Sequence, residues 1–266
     1  MASVAKSLVD DLVSINRNVT TSPVLVLAPH GGRVVPVEHR GAFLLSPEAL
    51  DREHDLMVDH HTDLLARLVG EQSGATTVVN TLSRFVVDVE RFPDDREEMN
   101  TVGMGVLYTH GSQRQLMRDE SLIDRTSLME FFADYSQAVT ELVGEILHHH
   151  DSCLILDLHS FPSSPLPYEL HQEESRPELC LGHEEPHAPF AFLTRLRQEL
   201  AGWDLADNEP FHGSYVPLEF FGSDARVQSV MLEIRRDTYL TEPAGELFAG
   251  RLEALATSIS RALSLD

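Results

Sequence analysis

Two histidines and one glutamate stand at the ends of apolar runs, where side chains from separate strands can meet. His30 and His159 each follow shortly after four apolar residues, and Glu233 closes a third apolar run. The carboxyl ends of parallel strands meet at one edge of an open sheet, so we expect these three side chains to converge. Two imidazoles and a carboxylate can hold a divalent metal and activate a water molecule. The spacing therefore predicts a zinc-dependent hydrolase.

Each histidine also has a simpler explanation. Pro29 precedes His30 and two glycines follow it, and such a stretch can form a tight turn with an incidental histidine. Asp157 lies two residues before His159 and shares its face of a strand. A carboxylate there can fix the tautomer of a metal-bound imidazole, or the pair can satisfy each other in the core. The repeated strand-then-histidine arrangement favours the metal site for both.

Carboxylates supply the other groups that such a site needs. Glu233 ends an apolar strand, where a carboxylate is costly unless it is paired or functional. We predict that it is the general base, although Arg235 shares its face and could pair with it. For the third metal ligand, Asp55 and Asp59 lie one turn apart on a predicted helix. Either could reach the site, and we favour Asp55.

Two arginines flank a predicted strand at residues 85–89. Arg84 and Arg91 could bind a substrate carboxylate or stabilise a developing oxyanion. Asp88, Glu90 and the charges after residue 93 could instead hold both arginines in surface ion pairs. From the residues alone the two explanations have equal weight.

Composition restricts the partners and the compartment. The 266 residues include 43 acidic and 20 basic ones, for a net charge of -23, which argues against binding to nucleic acid or anionic membranes. No run approaches the ~18 apolar residues of a membrane span, and residues 1–18 lack the layout of a signal peptide. The two cysteines lie in apolar contexts, so we expect no disulfide framework, a cytoplasmic protein and a small-molecule substrate. The oligomeric state is not predicted.

Strand and helix patterns alternate along the chain. This alternation predicts an α/β fold, a single three-layer α/β/α domain over residues 1–266 with a mixed, mostly parallel sheet. A proline- and charge-rich stretch at 161–187 predicts a long loop at the active site. The predicted strands are 24–28, 77–80, 85–89, 152–157 and 227–234, and the predicted helices are 46 to about 71, 126–149, 189–200 and 243–263.

Short motifs follow one another in a defined order from about residue 23 to residue 242. They are Pro-His-Gly-Gly at 29–32 with Pro36, Asp55 with Val-Asp at 58–59, Ser-Arg-Phe-Val-Val-Asp at 83–88 with Arg91, Gly-Val-Leu-Tyr at 105–108, Asp-Leu-His-Ser at 157–160, Leu-Cys-Leu-Gly at 179–182, Pro-Phe-His-Gly-Ser-Tyr at 210–215, and Val-Gln at 227–228 with Glu-Ile-Arg-Arg at 233–236. In this order they resemble the N-formylglutamate amidohydrolase family, within the wider group of zinc-carboxypeptidase-like hydrolases.

The resemblance implies a phosphorylase/hydrolase-like fold with one zinc ion, although manganese or iron is equally compatible. It implies hydrolysis of the amide bond of a small N-acyl amino acid, chiefly an N-formyl one such as N-formylglutamate. His30 and His159 match the metal histidines, the third ligand falls to Asp55, and Glu233 matches the general base. Arg84 or the metal would stabilise the oxyanion.

The same resemblance suggests how substrate is held. Asp88-x-x-Arg91 is similar to an Asp-x-Asn-Arg stretch that binds a substrate carboxylate in the relatives, with Arg235 as an alternative to Arg91. Tyr215 would close over the substrate. Here Glu90 replaces the asparagine, and its negative charge would weaken capture of an acidic amino acid.

Two alternatives stay open at this point. One is a zinc amidohydrolase or peptidase that acts on another carboxylate-bearing amide. The other is a non-catalytic relative that binds a metal or a small acid without turning it over. Metal binding without hydrolysis of N-formyl, N-acetyl or N-succinyl amino acids would favour the non-catalytic relative.

Overall fold

In a computed structural model, which describes residues 11–170, 172 and 175–264, seven strands form one sheet. They are β1 (Val13–Asn16), β2 (Val24–Ala28), β3 (Thr76–Asn80), β4 (Cys153–Phe161), β5 (Leu179–Gly182), β6 (Leu205–Asp207) and β7 (Val227–Arg235). Their order across the sheet is β1-β3-β2-β4-β7-β5-β6. The β1–β3 and β5–β7 pairs are antiparallel and the other pairs are parallel.

Helices cover both faces of this sheet. They are α1 (Pro47–Met57), α2 (Thr62–Ser73), α3 (Arg125–His149), α4 (Phe190–Glu199) and α5 (Arg251–Leu263). On β2, Val24 and Val26 pack into the core with α2, α4 and α5, whereas Leu25 and Leu27 pack into the core with α3. Side chains of a strand alternate between its faces, so a continuous apolar strand indicates two covered faces. The predicted three-layer α/β/α class with a mixed, mostly parallel sheet is confirmed.

The helix predicted from residue 46 to about residue 71 is in fact two helices. Ser46 caps α1 by accepting a hydrogen bond from the backbone N–H of Ala49, with a proline at the first helical position, as the sequence predicts. The helix ends at Met57, and the next residue is extended. His61 then adopts a left-handed conformation, with φ of 62°, before α2 begins. The break places Asp59 in a short connection at the sheet edge.

The strand predicted at residues 85–89 is not formed. Residues 84–90 follow a series of turns instead. The backbone carbonyls of Phe85 and Val86 accept hydrogen bonds from the guanidinium of Arg118, at 2.6 and 3.1 Å, rather than from a neighbouring strand. A fully buried arginine therefore satisfies backbone groups that a sheet would otherwise pair.

The predicted loop at 161–187 contains β5, although most of its described residues are irregular. Residues 171, 173 and 174 of that loop lie outside the described residues, as do residues 1–10 of the segment predicted to lack a signal peptide. None of the helices in the described ranges combines the length and the apolarity that crossing a bilayer requires.

Candidate active site

The three strand-end residues predicted to converge lie on adjacent parallel strands. His30 follows β2 by two residues, and His159 lies within β4, the neighbour of β2. Glu233 is on β7, paired in register with His159. The Nδ1 atoms of His30 and His159 are 3.2 Å apart. All three residues line one cavity of about 520 Å³.

The two ring nitrogens of His159 face different groups. On the Nδ1 side, the Oδ2 atom of Asp59 lies 3.0 Å from His159 and 3.8 Å from Nδ1 of His30. On the Nε2 side, Oδ1 of Asp157 lies at 3.0 Å and Oε2 of Glu90 at 3.2 Å. His159 therefore separates a cluster that contains His30 and Asp59 from a pair of carboxylates.

This arrangement suits a divalent metal. His30, Glu90 and His159 each offer one ligand atom, and these atoms lie within 4.8 Å of one another. Ligand atoms that bind one tetrahedral zinc ion at about 2.0–2.1 Å lie roughly 3.3 Å apart. The two Nδ1 atoms and Oδ2 of Asp59 are 3.0, 3.2 and 3.8 Å apart. The set with Asp59 fits better than the set with Glu90, because Glu90 and His30 approach opposite nitrogens of His159.

The hydrogen bonding of His30 also suits a metal ligand. Its Nε2 atom donates to Oδ1 of Asp88 at 2.8 Å, which leaves the lone pair of a neutral imidazole on Nδ1. Burial, together with the charge of Arg84, lowers the pKa of His30 below its usual range. For His159 burial also opposes protonation, but the Asp157 and Asp59 carboxylates hold its pKa well above the usual range.

The structure does not bring Asp55, the third ligand predicted from the sequence, to this cluster. Its carboxylate accepts a hydrogen bond from Arg33 at 2.7 Å, and about a third of the side chain (35%) is exposed. The prediction assumed one helix through both aspartates, but α1 ends at Met57. Asp59 lies beyond the helix end, and its backbone N–H donates to the carbonyl of His30 at 3.1 Å.

Asp88 connects His30 to the predicted arginines. It accepts hydrogen bonds from Arg84 at 3.0 Å and from the Tyr108 hydroxyl at 2.7 Å, and Arg91 lies 3.4 Å away. Burial works against its ionisation, yet His30 and the two arginines hold the pKa of Asp88 well below its usual range. Arg84 and Arg91 pair with Asp88, and Arg91 also pairs with Glu97, but these ion pairs are largely buried and both arginines line the cavity.

Glu233 is suited to accept a proton. Its Oε2 atom is buried, with no hydrogen-bond partner among the described residues. Burial raises the pKa of Glu233 to about 8. A carboxylate in a cleft with a pKa near neutral pH meets the requirement for a general base.

Arg235, the predicted alternative for the substrate carboxylate, is not a residue that lines the cavity. It donates to Asp237 at 2.7 Å and to the carbonyl of Arg176. Arg235 is the last residue of β7, and its guanidinium is held by Asp237 in the 3₁₀ turn that follows. The next residue, Arg236, lines the cavity instead.

Tyr215 lines the cavity from the connection between β6 and β7, as the resemblance implies. Burial raises the pKa of its hydroxyl. Sequence reasoning considered Asp59 but favoured Asp55, and it missed Tyr108. The sequence feature that could have favoured Asp59 is its position just after the amphipathic helix, next to Val58. The backbone can change direction there and bring a side chain to the sheet edge.

Comparisons with known proteins show the family and the fold. The sequence model of the family described as N-formylglutamate amidohydrolase matches residues 22–240. The N-formylglutamate deformylase of Pseudomonas aeruginosa is 26% identical, over 96% of this chain and 95% of its own length. A crystal structure of N-formylglutamate amidohydrolase from Ralstonia eutropha JMP134 aligns with a TM-score of 0.75 at 20% identity, over 95% of both chains. The gene product Atu2144 of Agrobacterium tumefaciens aligns with a TM-score of 0.68 at 18% identity, over 95% of this chain and 93% of the other.

Proposed function

Because the chain belongs to the N-formylglutamate amidohydrolase family, we propose that it hydrolyses the amide bond of small N-formyl amino acids with a bound zinc ion. The observation that carries this proposal is the cluster of His30, Asp59 and His159 with Glu233 opposite His159 in the sheet. The class of substrate is that of the Pseudomonas relative, an N-formylglutamate deformylase.

Three residues would hold the metal, namely His30 and His159 through Nδ1 and Asp59 through a carboxylate oxygen. Two imidazoles and one carboxylate leave a position open for a water or substrate oxygen, as in catalytic zinc sites. When bound, zinc supplies a Lewis acid that polarises a carbonyl and lowers the pKa of a water to about 7. Asp88 and Asp157 fix the two imidazoles from behind, and such carboxylates raise the basicity of histidine ligands.

Glu233 moves the proton. It accepts a proton from the water that attacks the formyl carbon, and it then returns that proton to the departing amino group. Its position suits this role because the residue is only 8% exposed, lines the cavity and carries an oxygen without a hydrogen-bond partner among the described residues.

The arginines orient the substrate. Arg84 lies against both Asp59 and Asp88 and would donate to the oxygen on which negative charge develops. Arg91, with 23% of its side chain exposed, would bind the substrate carboxylate from the open part of the cavity. Tyr215 would close the other side of the cavity over the substrate.

The test is hydrolysis by zinc-loaded protein across a panel of N-formyl, N-acetyl and N-succinyl amino acids, measured as release of the free amine. We expect turnover of the N-formyl members. Glu233→Gln should lower kcat by roughly 10²–10⁴-fold while the protein keeps one zinc per chain by elemental analysis. Manganese- and iron-loaded samples would identify the most active metal.

Glu184→Gln is the matched control, because Glu184 lines the same cavity but is exposed to solvent. It should retain the kcat of the unmodified protein. Unchanged turnover in Glu233→Gln would remove Glu233 from its role. Bound zinc with no hydrolysis of any panel member would contradict the proposed function and favour a non-catalytic relative.

A further inference from the structure

Behind the metal cluster, two buried carboxylates approach the same ring nitrogen. Oε2 of Glu90 and Oδ1 of Asp157 lie 3.2 and 3.0 Å from Nε2 of His159. Their side chains are only 9% and 2% exposed. An imidazole nitrogen carries one hydrogen, so it can satisfy one of these carboxylates well but not both.

Among the described residues, the arginines near these carboxylates pair with other groups. Arg84 and Arg91, the nearest candidates, pair with Asp88, and Arg91 also lies 3.5 Å from Glu97. In the described ranges, no lysine or arginine lies within ion-pair distance of Glu90. Buried carboxylates without a compensating donor are costly.

Unpaired polar atoms mark this corner of the cavity. Oε1 of Glu90 and Oγ of Ser214 are buried without a hydrogen-bond partner among the described residues. Oδ1 of Asp157 approaches Nε2 of His159 at 3.0 Å but makes no well-aligned hydrogen bond with it. All three residues line the cavity. Native proteins pair nearly all such atoms with protein, water or ligand. We call Glu90, Asp157 and Ser214 the acceptor corner.

An aromatic residue lies near the acceptor corner. Tyr215, which directly follows Ser214, lines the cavity within electrostatic reach of Glu90 and Asp157. Aromatic faces attract ammonium groups that have been removed from water. A carboxylate in this corner would instead meet two like charges. The chemistry of the corner thus matches a group with several N–H donors and a positive charge.

We propose that the acceptor corner binds a primary ammonium group of the substrate, so that the enzyme selects N-formyl amino acids with a basic side chain over N-formylglutamate. This inference rests on the proposed function and narrows its substrate class. Arg91 would hold the α-carboxylate, while the ammonium donates to Glu90, Asp157 and Ser214. Asp157 would serve both the ligand and His159, whereas Glu90 would serve chiefly the ligand.

Binding measured without turnover tests the inference separately from the proposed function. In the zinc-loaded Glu233→Gln protein, calorimetry would compare N-formyl-lysine with N-formyl-norleucine, which has a similar chain without the ammonium, and with N-formylglutamate. We expect N-formyl-lysine to bind at least about tenfold more tightly than N-formyl-norleucine, because charged hydrogen bonds form in a buried site. N-formylglutamate should bind more weakly than either.

Substitutions then assign the preference to Glu90. Adding Glu90→Gln should reduce the lysine-to-norleucine affinity ratio to within about threefold of one. Adding Glu184→Gln, which removes the same charge at an exposed rim position of the cavity, should leave the ratio unchanged. Circular dichroism checks that each variant is folded.

Equal affinities for N-formyl-lysine and N-formyl-norleucine would show that ordered water alone fills the corner, and would overturn the inference. An unchanged lysine-to-norleucine affinity ratio in the Glu90→Gln variant would overturn the inference as well. Tighter binding of N-formylglutamate than of N-formyl-lysine would also overturn it. Absence of hydrolysis by the unmodified protein contradicts the proposed function alone, since the affinity ratio does not depend on turnover.

Discussion

Asp88 and Glu90 are buried carboxylates two residues apart in one turn segment, yet their surroundings differ. Asp88 receives donors from His30, Arg84 and Tyr108 at 2.7–3.0 Å, and none of its surface is exposed. The surroundings hold the pKa of Asp88 well below its usual range despite its burial.

Glu90 shows the opposite behaviour. Its only charged contact among the described ion pairs is with His159, which Asp157 and Asp59 also approach. Burial, followed by the charge of Asp157, raises the pKa of Glu90 to about 8. The comparison distinguishes two kinds of buried carboxylate. One that is surrounded by donors holds the local structure together, whereas one that lacks donors marks a place where a ligand can bind. Substitutions can test this distinction.

The largest effect is expected for Asp88→Asn. The change removes the negative charge that compensates Arg84 and Arg91, and breaking a buried ion pair on one side costs about 3 kcal/mol or more. Urea denaturation of the metal-free protein should show this loss in the free energy of unfolding. A loss below about 1 kcal/mol would mean that Asp88 does not organise the segment.

Asp59→Asn should have the next largest effect, on metal affinity. Losing a group that supports a metal ligand typically costs 10–100-fold in affinity, so loss of a ligand should raise the zinc dissociation constant by about 100-fold or more. Glu90→Gln should change it by less than about tenfold, because Glu90 faces the other nitrogen of His159. Competition with a chelator measures the zinc dissociation constants of Asp59→Asn, Glu90→Gln and the unmodified protein.

Asp55→Asn is the control for that experiment, because Asp55 pairs with Arg33 near the surface. This variant should bind zinc with an affinity within twofold of the unmodified protein. If Glu90→Gln weakened zinc binding more than Asp59→Asn did, the ion would bind at Nε2 of His159 instead of Nδ1.

The smallest effect is expected for the stability of Glu90→Gln. Glutamine keeps the shape of the side chain and removes a charge that lies beside Asp157, so like-charge repulsion decreases. The free energy of unfolding of the metal-free protein should stay within about 1 kcal/mol of the unmodified value or rise. A loss above about 2 kcal/mol would place Glu90 with Asp88 as a residue that organises the fold.

The sequence predicted those parts of the site that depend on regular structure. His30, His159 and Glu233 could be placed together because parallel strands end at one edge of a sheet, and the sheet was recognisable from its continuous apolar runs. Asp157 followed from strand alternation, which holds through the nine residues of β4.

The parts of the site that differ from the prediction lie where regular structure stops. Asp55 and Asp59 were placed on one helix face, but α1 ends at Met57 and only Asp59 reaches the histidines. Arg235 is the last residue of β7 and pairs with Asp237, whereas Arg236, to which the sequence analysis assigned no role, lines the cavity. Element ends are set by long-range contacts, such as the hydrogen bond from Arg236 to the carbonyl of Leu56, which single-sequence patterns do not contain.

The order of strands in the sheet has a consequence for synthesis of the protein. β7 is the last strand along the chain, yet it lies between β4 and β5. Until β7 is synthesised, β4 therefore has an open edge on that side, and open edges promote aggregation. Translation that stops before β7 yields a product without Glu233 and with that edge uncovered. The growing chain gains Glu233 and covers this edge of β4 in the same event, when residues 227–235 leave the ribosome and insert.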